Sequence, residues 1–147
     1  MPIEVATEAK QEGRGPSYTK SRLQEKEERV RRLLSQERAV EAVEESRYLT
    51  VLAAEFYEAD HSRTLYYHSL LIEALIRADS NRVALEEVER VVALKEKKYG
   101  STHRETVWSK HQKGIILRNL KRYREAEEWC RSNWKAEIGI FGSTACW

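Results

Sequence analysis

The amino-acid sequence repeats itself at intervals of 42 residues. Residues 99–102, Tyr-Gly-Ser-Thr, recur as Phe-Gly-Ser-Thr at residues 141–144. Further positions show the same spacing: Ala42, Ala84 and Ala126; Leu33, Leu75 and Leu117; Glu44, Glu86 and Glu128; His61 and His103; Thr64 and Thr106. Self-similarity with a period of roughly 20–50 residues is typical of stacked supersecondary units, which present an extended surface to partners. The repeat therefore predicts a protein that works by binding.

Composition and charge exclude several classes of protein. The chain has 147 residues, the length of one ordinary domain, and 41% of them are hydrophobic. No apolar run approaches the roughly 20 residues that a membrane-spanning helix needs, and residues 1–4 lack the pattern of a secretory signal. We therefore expect a cytoplasmic protein with no membrane partner. The net charge of +2 provides little attraction for phosphates, so nucleic acid is not an expected partner either.

The sequence lacks the usual signatures of metal binding and catalysis. Cys130 and Cys146 are too few for a disulfide framework and lack the spacing of a zinc site, so we expect reduced thiols, no metal and no cofactor. The motifs H-E-x-x-H, G-x-G-x-x-G, G-x-x-x-x-G-K-[ST] and G-x-S-x-G are missing, and no enzyme activity is expected. A catalytic interpretation would need a metal, or a pocket that collects His68, His111 and carboxylates.

Proline and glycine separate an N-terminal arm from a helical domain. Residues 1–19 contain both prolines and two glycines, and we predict that they form a flexible arm. Residues 20–147 are rich in helix-forming residues and are predicted to be a helical repeat domain. Three units fit, at about 21–62, 63–104 and 105–146, each with two helices. The six helices are predicted near 21–36, 39–57, 62–78, 82–98, 104–120 and 124–141.

Local signals support these helix boundaries. Thr102 and Glu105 have the T-x-x-E spacing of a capping box, and Asp60 can cap the equivalent earlier helix. Gly100 and Gly142 stand just after predicted helix ends, where a residue able to adopt positive φ is favoured. The two histidines that recur one repeat apart, at 61 and 103, are expected to have a structural role at helix starts.

Two segments of the third unit resemble tetratricopeptide repeats (TPR) of the kinesin-light-chain type, whose unit is a helical hairpin of 42 residues. Residues 100–106, Gly-Ser-Thr-His-Arg-Glu-Thr, fit the family linker G-x-x-H-x-x-T, and residues 123–127, Tyr-Arg-Glu-Ala-Glu, fit its Y-x-E-A-E turn. The second unit departs from this pattern at Asn81, where the family has tyrosine, and the first unit keeps fewest positions. The resemblance implies an all-α, right-handed superhelical solenoid of about three antiparallel hairpins, acting as a non-enzymatic adaptor or scaffold.

In the resembling family, the first helices of the repeats line a concave groove that binds extended peptides. Carried over by register, the groove positions are Tyr66, Ser69, Glu73, Ile76 and Arg77 in the second unit and Trp108, His111, Ile115, Arg118 and Asn119 in the third. The candidate contacts among them are Tyr66, Arg77, Trp108, His111, Arg118 and Asn119. Aromatic and arginine side chains are frequent in binding hot spots. Residues 104–125 hold seven basic and two acidic side chains, which favours an acidic partner, with an aromatic residue as in the family. The alternatives are that the aromatic residues fill the seam between hairpins and that the basic face is solvated.

The last predicted helix is more apolar than its counterpart in the preceding unit. Terminal repeats usually become polar on the outside because nothing covers them. The residues that contradict this trend form a candidate assembly interface: Trp129, Trp134, Ile138 and Phe141. An exposed apolar patch indicates an interaction site. The alternative function is therefore an assembly or oligomerisation element, either a homodimer or a fragment of a longer repeat array.

Overall fold

The structure, a computed structural model, describes the backbone of residues 16–142 and the side chains of residues 20–142. Within this range the chain forms six α-helices and no β-strand, which confirms the predicted all-α class. The helices are α1 Pro16–Ser35, α2 Ala39–Phe56, α3 Ser62–Arg77, α4 Asn81–Tyr99, α5 Arg104–Asn119 and α6 Tyr123–Phe141.

The largest difference from the predicted boundaries is at the start of α1. This helix begins at Pro16, rather than near residue 21. Proline is favoured at the first position of a helix because the N–H that it lacks would have no intrahelical partner there. The rest of the predicted arm, residues 1–15, lies outside the described residues.

Tertiary packing divides the chain into two compact units, Met1–Ala78 and Asp79–Trp147. We call them the N-terminal unit and the C-terminal unit. The division falls in the short connection between α3 and α4, so each unit contains three of the described helices. The predicted 42-residue units divide the chain differently, and their boundaries remain a prediction.

In the N-terminal unit, α2 packs against both α1 and α3. All three helices contribute apolar side chains to one core: Leu23, Val30, Leu33, Leu34, Ala42, Leu49, Leu52, Ala53, Tyr67, Leu70 and Ala74. Burial of one aliphatic side chain of this size contributes about 1.5–3 kcal/mol. The core therefore holds α3 on the α1–α2 hairpin.

In the C-terminal unit, α5 packs against both α4 and α6. The buried apolar side chains again come from all three helices: Ala84, Val88, Val91, Val92, Val107, Ile116, Leu117, Ala126 and Cys130. On α5 the buried positions alternate with exposed ones at helical spacing, so that one side of this helix faces the core and another faces outward.

The 42-residue period is visible in the backbone as well as in the sequence. Glu37, Asp79 and Lys121, each 42 residues from the next, have positive φ values of 60°, 60° and 63°. Each lies in the connection between two helices of a predicted hairpin. Non-glycine residues rarely adopt this left-handed conformation. Its recurrence at the same register shows that the repeat specifies the turn geometry.

Histidines cap the starts of α3 and α5. The ring Nδ1 of His61 accepts the backbone N–H of Arg63 at 3.1 Å, and the ring Nδ1 of His103 accepts that of Glu105 at the same distance. The predicted structural role of both histidines is confirmed. The predicted caps at Asp60 and at the threonine before His103 are wrong, because the histidine ring occupies the capping position one residue later.

Stacking and glycine geometry complete the connections between repeats. The ring of His61 stacks on Tyr57 with centroids 4.3 Å apart, and that of His103 stacks on Tyr99 at 4.4 Å. At the ends of α4 and α6, Gly100 and the equivalent glycine at 142 have φ values of 89° and 78°. The predicted glycine terminators are therefore confirmed.

Candidate interaction surface

Three of the side chains predicted to contact a partner share one face of α5. Trp108, Ile115 and Arg118 are separated by seven and three residues, a spacing that places them on the same side of a helix. Trp108 is 41% exposed, Arg118 is exposed and Ile115 is half-buried. Because Ile116 and Leu117 point into the core, α5 presents these three side chains on its outer side.

A cavity of about 210 Å³ lies beside this face, between α5 and α6. It is lined by Gly114, Ile115 and Arg118 of α5 and by Tyr123, Ala126, Glu127 and Cys130 of α6. The space is left open because Gly114 has no side chain and that of Ala126 is a single methyl group, and the lining is mainly apolar. The arrangement can accept an aliphatic side chain of a partner and offers Arg118 for a carboxylate.

Aromatic contacts join the predicted groove to the predicted assembly interface. The rings of Trp108 on α5 and Phe141 on α6 meet edge to face, with centroids 5.9 Å apart. Trp134 and Ile138, 40% and 41% exposed, share the same side of α6 as Phe141 by helical spacing. The two sets therefore form one surface. We call it the α5–α6 face, defined by Trp108, Ile115, Arg118, Trp134, Ile138 and Phe141.

Two other predicted groove residues have partners inside the C-terminal unit. His111 is buried, and its Nδ1 lies 2.9 Å from a carboxylate oxygen of Glu137, which also accepts the amide N–H of Asn133 at 3.1 Å. The amide nitrogen of Asn119 donates to the side-chain oxygen of Asn81 at 3.2 Å. These contacts link α5 to its neighbours. His111 also supports the surface from below, because the ring of Trp108 stacks on it.

Trp129 lies apart from the other three predicted assembly residues. Its indole N–H donates to the main-chain oxygen of Lys110 at 2.6 Å, and the ammonium group of Lys113 lies 4.1 Å from its ring centroid. The five-residue step from Trp129 to Trp134 places their side chains on different sides of α6. Trp129 thus packs on α5 within the unit, whereas Trp134, Ile138 and Phe141 belong to the α5–α6 face.

In the N-terminal unit the predicted groove residues are engaged with α1. The hydroxyl of Tyr66 accepts a hydrogen bond from the guanidinium of Arg31, with Nε 3.1 Å away. Arg77 donates to the main-chain oxygen of Leu34 at 3.0 Å and pairs with Glu73 at 3.0 Å. Both side chains therefore tie α3 to α1.

The basic residues around α5 divide into paired and unpaired groups. Lys110 pairs with Glu96, Lys113 with Glu89 and Arg122 with Glu125. Among the described residues, Arg104, Arg118, Lys121 and Arg124 have no carboxylate partner, although the Arg104 guanidinium lies 5.2 Å from the Phe141 ring centroid. Of these four, Arg118 lies on the α5–α6 face.

Two titratable side chains are affected by burial in the cores. Lys95 of α4 is fully buried, and its ammonium lies 3.4 Å from a carboxylate oxygen of Glu105. Burial lowers the pKa of Lys95, and the carboxylate partly opposes this shift. In the N-terminal unit, burial raises the pKa of the Tyr67 phenol to about 12. Neither group lies on the α5–α6 face.

The described part of the chain shows no arrangement suited to metal binding or membrane insertion. No group of three or more His, Cys, Asp or Glu side chains within residues 20–142 could hold a metal ion. None of the six helices is long and apolar enough to cross a bilayer. His68 and His111, which a catalytic interpretation would bring together, lie in different units.

Cys130 differs from the sequence expectation of reduced thiols. It is buried in the C-terminal core, as expected for an apolar position, but it is disulfide-bonded. The other cysteine of the chain, Cys146, lies outside the described residues. The sequence carries no signal for this bond, because two isolated cysteines do not define a disulfide framework.

The chain consists of TPR-like helical repeats. This class of fold follows from the repeated hairpin connections, the histidine caps at the starts of α3 and α5, and the helix packing within each unit. Two crystal structures of a protein from Podosopora anserina, described as a kinesin light chain with nearly identical TPR-like repeats, have this fold. One of them is a point variant. Their TM-scores against this chain are 0.71 and 0.72, each at 24% sequence identity. The predicted resemblance is confirmed at the level of the fold.

The similarity covers 84% and 80% of this chain, but only 58% and 56% of the two solved structures. The chain thus spans less than two thirds of the length of the structures it resembles. No protein-family model and no curated protein matches it.

Proposed function

We propose that the chain is a non-enzymatic protein–protein interaction module, an adaptor or scaffold, which binds a peptide segment in a TPR-like groove. Trp108 and Arg118 contact the partner in this proposal. His111 and Asn119 hold the surface in shape, while Tyr66 and Arg77 act within the N-terminal unit, where they bind α1. The partner segment carries an aromatic residue among acidic ones.

The single observation that supports this proposal is the state of Arg118. Its guanidinium is exposed, has no carboxylate partner among the described residues, and lines an apolar cavity on the same helix face as the exposed Trp108. A charged group beside an aromatic ring and a cavity is the combination found in binding hot spots. An acidic and aromatic segment would satisfy both the charge and the apolar surface.

Isothermal titration of the full chain with an acidic peptide that contains one tryptophan tests the proposal. We expect Arg118→Glu to weaken binding about tenfold or more, because it places a carboxylate against the acidic peptide. Lys97→Glu is the matched control, since Lys97 is an exposed residue of α4 and undergoes the same change of charge. Equal affinity in the wild type and Arg118→Glu would contradict the proposal.

A second candidate function, assembly through α6, is favoured by the exposure of Trp134 and Ile138. In this case the α5–α6 face binds a second copy of the chain. Light scattering would then show a mass that rises with concentration and that Trp134→Glu with Ile138→Glu returns to the monomer. Trp129 is left unchanged in this test, because its substitution would disturb the packing of α6 on α5.

A further inference from the structure

Part of the α5–α6 face has a counterpart in the N-terminal unit that contacts a helix. The counterpart lies 84 residues earlier in the sequence, on α1 and α2, and α3 packs there. Three positions of α1 that correspond to His111, Ile115 and Arg118 contact α3. The contacts are Glu27 with Arg63 at 3.6 Å, Arg31 with Tyr66, and the main-chain oxygen of Leu34 with Arg77. The register therefore relates the open face of α5 to a surface that accepts a helix.

The second helices show the same relation. Thr50 of α2, Val92 of α4 and Trp134 of α6 are separated by 42 residues each, and they are 9%, 7% and 40% exposed. A further helix packs against α2 and against α4 within their units. Within residues 16–142 no helix follows α6. Among the described residues, none covers Trp134 as α3 and α5 cover the surfaces of α2 and α4.

The charges on the α5–α6 face differ from those on its counterpart. In the N-terminal unit, α3 brings Arg63 and Arg77 to a carboxylate and a main-chain oxygen of α1. On α5 the position equivalent to Leu34 is Arg118; Arg104, at the opposite end of α5, lies against Phe141. A helix that covers α5 therefore needs a carboxylate where α3 has Arg77.

We infer that the α5–α6 face is a docking site for an acidic amphipathic helix of a partner protein, which packs on α5 and α6 as α3 packs on α1 and α2. This inference rests on the proposed interaction function, and it adds the conformation of the bound segment and a role for α6. In α3, the side chains that enter the shared core are Tyr67, Leu70 and Ala74. The partner helix would carry aromatic, leucine-like and small residues at this spacing, with Asp or Glu at the place of Arg77.

A second copy of this chain is a poor occupant. The outer side of α1 is polar, with Lys20, Gln24, Glu25 and Glu28 exposed. The helix α3 of another copy would place Arg77 against Arg118, and like charges at close distance are unfavourable. The unpaired guanidinium groups therefore favour an acidic helix from a different protein.

The test uses the full chain and a 16-residue peptide with the sequence of α3, Ser62–Arg77, in which Arg63→Glu and Arg77→Glu are introduced. We expect saturable binding by isothermal titration, and an increase of peptide helicity in circular dichroism on binding. The peptide with His68→Pro in addition should bind about tenfold more weakly or worse, because proline breaks the helix. The unmodified α3 peptide should also bind more weakly than the acidic one.

Protein variants locate the site. Trp134→Glu should abolish binding of the acidic helix, and Arg118→Glu should reverse the preference between the acidic and the unmodified peptide. Lys97→Glu should change neither. Trp134 is 40% exposed, so its substitution should leave the helix content unchanged. If Ile138→Glu, also at an exposed position, and Trp134→Glu both leave the affinity unchanged, the inference is wrong.

The inference can fail separately from the proposed function. One outcome is that the acidic tryptophan-containing peptide binds, with an affinity that a proline substitution does not change, while the acidic α3 peptide does not bind. This result would support the interaction module and show that helical docking is wrong. If neither binds, both are wrong. A concentration-dependent dimer that Trp134→Glu abolishes would assign the face to a second copy and overturn the partner helix.

Discussion

The helices α3 and α5 begin the second and third predicted hairpins and are related by the 42-residue repeat, but their exposed sides have different contacts. In the N-terminal unit, Tyr66 and Arg77 of α3 are engaged with α1, and the core continues from α1 through α2 to α3. In the C-terminal unit, Trp108 and Arg118 of α5 are exposed, and a cavity lies beside them. Tyr66 and Trp108 occupy the same position of the repeat, whereas Arg77 corresponds to Asn119 and Arg118 to Ile76. The equivalent aromatic residue is therefore engaged within one unit and exposed in the other.

This difference shows that one position of the repeat can be engaged in one unit and exposed in another. Within the units, α2 packs against α3 and α4 packs against α5, so part of the surface of α2 and of α4 is buried by the helix that follows. A surface that no described helix covers is free to carry exposed tryptophan and arginine, which are the residue types of hot spots. The position of a residue in the array then determines its role more than its position in the repeat.

The largest expected effect concerns the buried network that holds α6 on α5. We expect Glu137→Ala to destabilise the chain by about 2–4 kcal/mol, because it leaves His111 and Asn133 buried without their shared acceptor. Urea unfolding monitored by circular dichroism measures this change. Glu127→Ala, at an exposed position of the same helix, should change stability by less than about 0.5 kcal/mol. Similar values for the two variants would show that the network does not hold the open face in place.

Alkaline pH should weaken the N-terminal unit through Tyr67. Its folded pKa of about 12 lies above the usual value of 10, so folding favours the neutral phenol. The stabilisation is fully present below pH 10 and is lost as the pH rises from about 10 to 12, by about 2–3 kcal/mol. Unfolding titrations across this range should show the loss in the wild type and a smaller loss in Tyr67→Phe. Tyr123→Phe, which alters an exposed tyrosine, should behave as the wild type does.

The equivalent aromatic residues of the two units should respond differently to loss of their polar groups. Tyr66→Phe removes the hydroxyl that accepts from Arg31, and we expect a destabilisation of about 0.5–1 kcal/mol. Trp108→Phe should change stability by less than about 0.5 kcal/mol, because Trp108 is partly exposed. It should lower partner affinity instead, which Tyr66→Phe should not. The opposite pattern would remove the distinction between the two units.

The smallest expected effect is at Lys95. Its folded pKa is lowered from 10.5, so the unfolded state binds more protons in the interval between the two values, and stability rises with pH there. Lys95→Met should remove this rise and leave stability at neutral pH equal or higher by up to about 1 kcal/mol. Lys97→Met, at an exposed position, should keep the rise. A loss of several kcal/mol in Lys95→Met would show that its contact with Glu105 outweighs burial.

The sequence predicted those features that depend on local chemistry and period. The six helices, the glycine terminators and the structural role of His61 and His103 follow from helix propensity and from the 42-residue spacing. The left-handed turns at Glu37 and Lys121 could not be predicted, because these residue types do not usually adopt positive φ. Once one left-handed turn is observed, the 42-residue spacing predicts the other two.

The candidate site was predicted less completely because burial and partners depend on tertiary packing. The period places Tyr66 and Trp108 at equivalent positions, but only the structure shows that one is engaged with Arg31 and the other is exposed. It also separates Trp129 from Trp134, which the sequence treated as one patch. The network of His111 with Glu137 was missed, since its members are 26 residues apart in the sequence.

The most direct test of the account is an NMR titration of the labelled full chain with the acidic, tryptophan-containing peptide. We expect the indole N–H of Trp108 and the amides of α5 around Arg118 to shift with the peptide concentration. Tyr66 and the amides of α3 around Arg77 should stay unchanged, because these residues are occupied by α1. Shifts confined to α3, with α5 unaffected, would contradict the claim that the open surface of the C-terminal unit is the binding site.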